Sequence, residues 1–253
     1  MDWSNAKQPV CFLELDPRLS LWKRATAEFT GTLMLVLVLM ATKLNVLAST
    51  AGRDAAALMG AMAGGGALAG LILALGAVSG GHFNPLITIL QWSFRLRDAR
   101  CAAAYVAAQL VGGVVGAIVA TMAFGTLRGS GGSGSTGFGW ALAELLSSAG
   151  LMLVVFGCMR SGRREFGPLG VGAWLTGSSI GLPATFANPA LLAGAEFALG
   201  MRALTWHALL VALLMQIAGA FLAAAVLGLV FPKESGGAPD VAHKTGENSW
   251  MRQ

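Results

Sequence analysis

The sequence predicts an all-α membrane protein with six transmembrane helices and two half-helices in an inverted 3+3 repeat. Three observations predict this fold class. The 253-residue chain is 55% apolar and 11% charged, with a mean hydropathy of +0.68, whereas a soluble domain carries about 25% charged residues. Six long apolar runs follow one another, and each half of the chain also contains a short apolar segment that begins with Asn-Pro.

The six apolar runs are the predicted membrane spans. A helix needs about 20 apolar residues to cross the hydrocarbon core, because it rises about 1.5 Å per residue. A Gly- and Ser-rich stretch, 129–137, divides the runs into two groups of three. An even number of spans leaves both termini on the same side of the membrane. The predicted spans are residues 22–47, 55–77, 99–124, 138–159, 169–182 and 204–231.

The basic residues indicate the orientation. Thirteen of the 17 Lys and Arg residues fall on the side of the two termini, and four fall on the other side. Because Lys and Arg accumulate in the cytoplasmic segments of membrane proteins, we expect both termini to be cytoplasmic. The membrane is then an inner (cytoplasmic) or plasma membrane. The same distribution accounts for the net charge of +5 without a nucleic-acid partner.

The two remaining apolar segments, residues 84–94 and 188–199, are too short to cross a bilayer. Each begins with Asn followed by Pro. Asn caps a helix through its side chain, and Pro at the first helical position loses no needed donor. Each segment is therefore predicted to be a half-helix preceded by a loop. Because non-helical backbone at membrane depth is tolerated only inside protein or beside water, a water-lined path is expected next to them.

The two halves of the chain resemble each other. Ala27-Glu28-Phe29 opens the first span and Ala143-Glu144-Leu145 opens the fourth, and the Asn-Pro pairs recur at matching places. Since each half holds an odd number of spans, the second is inserted upside down. The half-helices then meet N-terminus to N-terminus, with two positive dipole ends at one spot. The predicted pore midplane consists of Asn84, Pro85, Leu86, Asn188, Pro189 and Ala190.

These motifs resemble those of the aquaporin and aquaglyceroporin family, the major intrinsic proteins. The resemblance implies a right-handed bundle of six tilted helices and two half-helices, assembled in the lipid bilayer as a homotetramer with one pore per subunit. It implies passive passage of water or small neutral solutes. It rests on Ala27-Glu28-Phe29, Ser79-Gly80-Gly81-His82-Phe83-Asn84-Pro85, Gln109 and Asn188-Pro189-Ala190.

The chain divides on this basis into one channel domain and two flanking segments. We expect a cytoplasmic N-terminal segment, a channel domain built of two repeats with a loop between them, and a cytoplasmic tail. Their respective bounds are 1–21, then 22–232 with repeats 22–124 and 138–232 around loop 125–137, and 233–253.

Several polar side chains are predicted to support the pore. Glu28 and Glu144 lie within apolar helices, where an ionisable group is costly and marks a functional site. The resemblance implies that they accept hydrogen bonds from the half-helix loops; the alternative is a proton relay with His82. The resemblance places His82 on the cytoplasmic approach, the alternative being a buried histidine bonded to a loop carbonyl. The predicted support residues are Glu28, Glu144, His82, Gln109 and Gln216.

The narrowest part of the pore departs from the family pattern. The family usually has Arg three residues after the second Asn, where this chain has Leu191. By the family's spacing, the other three filter positions are Gly64, Thr176 and Thr185. Together they predict a wide, uncharged opening for solutes of glycerol size or larger, with metalloid hydroxides or organoarsenicals as a narrower candidate. The alternative is a different alignment of the second loop, which would bring Phe186 into the lumen.

Other classes of protein fit the sequence less well. An ion-coupled secondary transporter is the alternative function, since inverted repeats with broken helices also build transporters. It would need more intramembrane charge than Glu28, Glu144 and His82 provide. No catalytic motif or nucleotide fingerprint is present, and the three cysteines are too few and too widely spaced for a zinc site. We therefore expect no enzyme activity, no cofactor, no metal and no nucleic-acid partner.

Overall fold

The computed structural model describes residues 14–16, 18–48, 52–124, 137–182, 186–198 and 204–231. In these residues the regular structure is helical, and it follows the order of the predicted spans and half-helices. The predicted loop 125–137, apart from Gly137, and the predicted tail 233–253 lie outside the described residues. The helices are α1 (Leu21–Ala48), α2 (Arg53–Ser79), α3 (Pro85–Ser93), α4 (Ala99–Phe124), α5 (Phe138–Arg160), α6 (Gly167–Gly181), α7 (Pro189–Ala198) and α8 (Trp206–Val230).

Within the described ranges, five helices are long and apolar enough to cross a membrane: α1, α2, α4, α5 and α8. The fifth predicted span, α6, has 15 residues. At 1.5 Å per residue it is about 22 Å long, which is shorter than the roughly 30 Å hydrocarbon core. A 3-10 turn, Arg164–Phe166, leads directly into it. The half-helices α3 and α7 have nine and ten residues.

The helices of the two halves pack in the same way. Helix α1 packs against α2 and α4, and its counterpart α5 packs against α6 and α8. Helices α2 and α6 pack against each other and join the halves. One contact differs, because α7 packs extensively against α4 whereas α3 touches α8 only lightly. The two halves that resemble each other in sequence thus also pack their helices in corresponding pairs.

Glycines allow the closest helix crossings. A Cβ on Gly112 of α4 would lie 2.5 Å from the Phe29 carbonyl oxygen of α1, closer than real Cβ atoms approach. A Cβ on Gly219 of α8 would lie 2.3 Å from the Leu145 carbonyl oxygen of α5. Small residues bring backbones together in this way in membrane proteins, where lipid removes the hydrophobic drive between helices.

Candidate functional site

The tips of the two half-helices are bonded to each other. The Asn84 side-chain amide donates to the Ala187 carbonyl at 2.9 Å, and the Asn188 amide donates to the Phe83 carbonyl at 2.9 Å. Both asparagines are almost fully buried. The inverted repeat therefore brings together two loops whose Asn residues are 104 positions apart in the sequence.

Each Asn also caps its own half-helix. The Oδ1 of Asn84 accepts from the Leu86 N–H at 2.9 Å, and the Oδ1 of Asn188 accepts from the Ala190 N–H at 2.9 Å. Pro85 stands at the start of α3 and Pro189 at the start of α7, where their missing N–H groups are not needed. The caps orient both side chains, so their amide groups point away from their own helices.

The residue before each Asn has an unusual backbone. Phe83 has φ 45° and Ala187 has φ 48°, in the left-handed region that side chains rarely occupy. This conformation turns the carbonyl oxygens of both residues toward the opposite Asn, which explains the two cross-bonds. The strained backbone therefore lies where each loop joins its half-helix, and it places the carbonyl oxygen that the opposite Asn binds.

Glu28 and Glu144 hold these two loops. Glu28 accepts from the N–H groups of His82 (3.0 Å) and Phe83 (2.8 Å). Glu144 accepts from the N–H groups of Phe186 (2.8 Å) and Ala187 (3.1 Å). Because each carboxylate satisfies backbone donors that the bent loop leaves free, it can keep the loop at membrane depth.

Glutamines complete the two carboxylate sites. Gln109 of α4 donates to Glu28 at 2.7 Å, and Gln216 of α8 donates to Glu144 at 2.9 Å. The first site has additional members: Ser79 donates its hydroxyl to Glu28 at 2.6 Å, and Thr88 lies within 3.0 Å of Gln109. The half-helices are thereby attached to α1, α4, α5 and α8.

His82 lies on the wall of the central cavity. Its Nδ1 is 2.8 Å from the Thr88 hydroxyl, while its Nε2 makes no hydrogen bond within the described part of the chain. The residue is buried from bulk solvent. The sequence left two roles open for His82: a place on the approach to the pore, or a buried histidine bonded to a loop carbonyl. In the structure its ring borders the cavity, and its hydrogen-bond partner is the side-chain hydroxyl of Thr88 in α3.

The central cavity is bordered by both asparagines. It is narrow, since only about 20 Å³ of it admits the centre of a water molecule, roughly the room for one water. Ile87 and Leu191, each three residues after an Asn, occupy equivalent places on its wall, as do Leu35 and Leu151. Asn84, Asn188, His82, Ser147 and Ser178 provide polar groups along this otherwise apolar wall.

The four residues predicted for the filter have different positions. Leu191 lines the cavity. Gly64 leaves no opening, because the Leu39 side chain occupies the place where its Cβ would lie, at 2.5 Å. Thr176 bonds through its hydroxyl to the Ala61 carbonyl at 3.3 Å, in the contact between α2 and α6. Thr185 lies outside the described residues.

Two aromatic residues border the cavity near Leu191. Phe186 lines it, which agrees with the alternative alignment of the second loop. Trp174 also lines it; its indole N–H donates to the Ser147 carbonyl at 3.0 Å, and its ring fills the space beside Gly150. Trp174 is not among the residues predicted from the sequence; the signal for it is Gly150 in the facing helix α5, which leaves room for a large ring.

Leu86 and Ala190, also predicted at the midplane, face the surrounding protein. Leu86 is buried in the apolar core around the half-helices. Ala190 packs its carbonyl against Gly113 of α4. Among the described residues, no group of three or more His, Cys, Asp and Glu side chains is arranged to hold a metal.

Comparison with known proteins gives consistent matches. The family model described as Major intrinsic protein matches residues 17–226. The chain is 32% identical over 187 residues to the aquaglyceroporin AqpS of Rhizobium meliloti, covering 70% of this chain and 76% of that protein. It is 30% identical over 183 residues to the probable aquaporin AqpM of Archaeoglobus fulgidus, covering 64% and 74%.

A solved structure has the same fold. The aquaglyceroporin from Plasmodium falciparum superposes with a TM-score of 0.68, at 20% sequence identity, over 82% of this chain and 96% of that chain. This match confirms the predicted fold class.

Proposed function

The chain belongs to the major intrinsic protein family and forms a multi-pass membrane channel for water and small solutes; we propose that its pathway runs between Asn84 and Asn188 and that it carries neutral solutes of glycerol size as well as water. The proposal rests on the cross-bonded half-helix tips that border the central cavity. At that point a solute hydroxyl meets amide donors on one side and an apolar wall on the other.

The midplane is suited to reject cations. Two helix N-termini, each with a partial positive charge, converge there. A cation arriving at that point loses hydration that the leucine and isoleucine side chains do not replace. Because Leu191 stands where the family usually has Arg, exclusion of cations depends on these dipoles rather than on a fixed charge.

The wall of the cavity supports a solute with a carbon skeleton. Ile87, Leu191 and the ring of Trp174 give one apolar side, and the asparagines give a polar side. Glycerol and methylated metalloid hydroxides present both kinds of surface, whereas water has no apolar part to bury. A relative named as an aquaglyceroporin, AqpS, supports the same solute class. We propose glycerol-type solutes first and organoarsenicals as the narrower candidate. Because the cavity at rest has room for about one water, passage of either solute requires side chains on its wall, such as Leu191 and Phe186, to move aside.

The test of the solute proposal is stopped-flow light scattering on proteoliposomes with water, glycerol, urea and a methylated arsenic hydroxide. Leu191→Arg is expected to lower glycerol flux about tenfold or more while water flux persists, because the side chain narrows the path and adds donors for water. Leu191→Ala is expected to raise glycerol flux. The neighbouring Leu192→Met, in a separate cluster beside Trp140, is the matched control. Unchanged fluxes in both Leu191 variants would remove this residue from the constriction.

The ion-coupled transporter is less well supported by the geometry. Glu28 and Glu144, the acidic groups that hold the two half-helix loops, are each occupied by backbone and glutamine donors. A transporter would show flux that saturates and depends on an ion gradient, whereas we expect solute flux linear in the solute gradient.

We also propose that the chain assembles as a homotetramer with both termini in the cytoplasm. Large apolar side chains are exposed on the outer faces of the helices, among them Leu58, Met59 and Met62 of α2. Such faces meet lipid or a neighbouring subunit. Native mass spectrometry of the detergent-extracted protein measures the subunit number, and a monomer would contradict the assembly.

A further inference from the structure

A cluster of buried charges lies outside the site described so far, beside the loop 80–84 that joins α2 to α3 and is called the pore loop below. Glu14 precedes the first helix, yet its side chain is fully buried. Its carboxylate pairs with Arg97, with oxygen–nitrogen distances of 2.7 and 3.4 Å, and lies 3.8 Å from Arg24. The N–H of Leu15 donates to the Ala77 carbonyl at 3.1 Å, which attaches the segment to the end of α2.

Arg97 connects Glu14 to the pore loop. Its guanidinium donates to the Ser79 carbonyl at 3.2 Å and to the Gln91 side chain of α3 at 2.8 Å. Ser79 ends α2 and begins the loop that leads to Asn84. The same Arg97 therefore contacts the N-terminal segment, the pore loop and the half-helix.

Tyr105 holds the same loop position. Its hydroxyl donates to the Ser79 carbonyl at 2.9 Å and accepts from Arg24 at 3.1 Å. Its ring packs edge-on against His82, with centroids 5.3 Å apart. Ser79 is therefore held from both sides, because its hydroxyl is also bonded to Glu28. Arg97 and Tyr105 form an outer layer of support, and Glu28 and Gln109 form an inner one.

Tyr105 and its neighbour Arg24 are replaced by other residue types at the matching positions of the second half. By the spacing of the two glutamines, Tyr105 corresponds to Ala212, and by the spacing of the two glutamates, Arg24 corresponds to Trp140. Neither of these residues can provide the same hydrogen bonds. The inner layer is present in both halves, so it accounts for holding a half-helix loop. Holding a half-helix loop therefore does not by itself account for the outer layer, which in the described residues is bonded to the first loop through the Ser79 carbonyl.

We propose that Glu14 is a positioning residue of the pore: through Arg97 it fixes the loop that carries His82 and Asn84, and release of its segment changes which solutes pass. The inference rests on the proposed function. Without Glu14, two guanidinium groups remain buried without their shared carboxylate, and Arg97 is drawn away from Ser79. The loop then shifts, and a larger solute is affected more than water because its passage depends more on the width at Asn84.

The experiment measures the ratio of glycerol to water permeability in proteoliposomes after the permeabilities of protein-free liposomes are subtracted, so that the ratio does not depend on how much protein is folded. The variants are Glu14→Gln, Arg97→Gln and the two combined. Asp16→Asn is the matched control, because Asp16 is two residues away and pairs only with the exposed Arg18 among the described contacts. Glu14→Gln is expected to lower the ratio about threefold or more, and the double variant is expected to match the single ones, as for residues that act through each other.

Two results would overturn the inference. One is a Glu14→Gln ratio equal to that of Asp16→Asn; the other is an additive effect in the double variant, which would separate Glu14 from Arg97. Where Glu14→Gln does not fold, Arg97→Lys keeps the charge but lacks the fork that reaches both Glu14 and Ser79, so a wild-type ratio in that variant is contradictory as well. A wild-type chain that passes neither solute overturns the proposed function and this inference together, whereas a conducting wild type with unchanged variants overturns this inference alone.

Discussion

At the scale of single residues, the two half-helix loops are held by hydrogen bonds that are made twice. Each Asn caps its helix and reaches across to the carbonyl of the opposite loop, and each Glu accepts from two backbone N–H groups. The same chemistry serves both halves, because each half must hold a bent loop where water is scarce. The pathway that we propose lies between these two sets of hydrogen bonds.

Replacing the carboxylates tests this support. Glu28→Gln leaves backbone or hydroxyl donors facing an amide N–H₂ group, and a buried unpaired donor costs about 1–3 kcal/mol. We expect a lower melting temperature in detergent for Glu28→Gln than for Glu144→Gln, because Glu28 also accepts from Ser79. Glu165→Gln, at an exposed position in the turn before α6, serves as the control. Equal melting temperatures for all three variants would contradict the structural role of both glutamates.

Sequence motifs predicted the residues that act locally better than those that act across the fold. Asn84 and Asn188 were recognisable because a cap followed by Pro is a local signal. Thr176 was assigned to the filter from its spacing alone. In the structure this side of α6 faces α2, so the Thr176 hydroxyl donates to the Ala61 carbonyl. Trp174, two residues earlier, faces the cavity instead. Spacing counts positions along a helix but does not give its rotation.

At the scale of helices, close crossings fix where the half-helices enter. Gly112 and Gly219 let α4 and α8 approach α1 and α5, and these four helices carry the Gln and Glu residues that bond the loops. A change at a crossing therefore moves the bonded side chains as well as the helix.

Adding one methyl group tests the crossing. Gly219→Ala places a Cβ against the Leu145 carbonyl, and overpacking of this kind costs about 1–3 kcal/mol. We expect a lower melting temperature and reduced water flux, since α8 also carries Gln216. Gly157→Ala, in α5 with no atom within 4 Å of the new Cβ, is the matched control, and it gains up to about 1 kcal/mol of helix propensity. A Gly219→Ala protein as stable as this control would contradict the packing account.

The helix bounds show what the pattern could specify. Apolar runs gave α1, α2, α4, α5 and α8 to within a few residues, and the Asn-Pro pairs gave the starts of α3 and α7. Helix α6 begins at Gly167, two residues before the predicted span, because the preceding 3-10 turn feeds directly into it. Its end borders residues 183–185, where the predicted filter residue Thr185 lies outside the described chain.

At the scale of the whole molecule, the inverted repeat makes one pathway from two halves, and the departures from symmetry distinguish its two ends. The buried pair between Glu14 and Arg97 joins residues 83 positions apart and, among the described residues, is formed in the first half. No local pattern indicates such a contact, since Glu14 stands in a short segment before the first span with no repeat or motif around it. Its burial follows from how the segment folds back onto α2.

The central claim is that solute passes between the two half-helix tips, along Ile87 and Leu191. The most direct measurement is block of water and glycerol flux by a mercurial in Ile87→Cys and Leu191→Cys proteoliposomes, with the wild type and Leu210→Cys, exposed on α8, as controls. We predict that flux falls about tenfold or more in both pore variants and stays unchanged in both controls, because a bound mercury atom fills a cavity that admits roughly one water. Stoichiometric labelling of the introduced thiols in both pore variants without loss of flux would contradict the account.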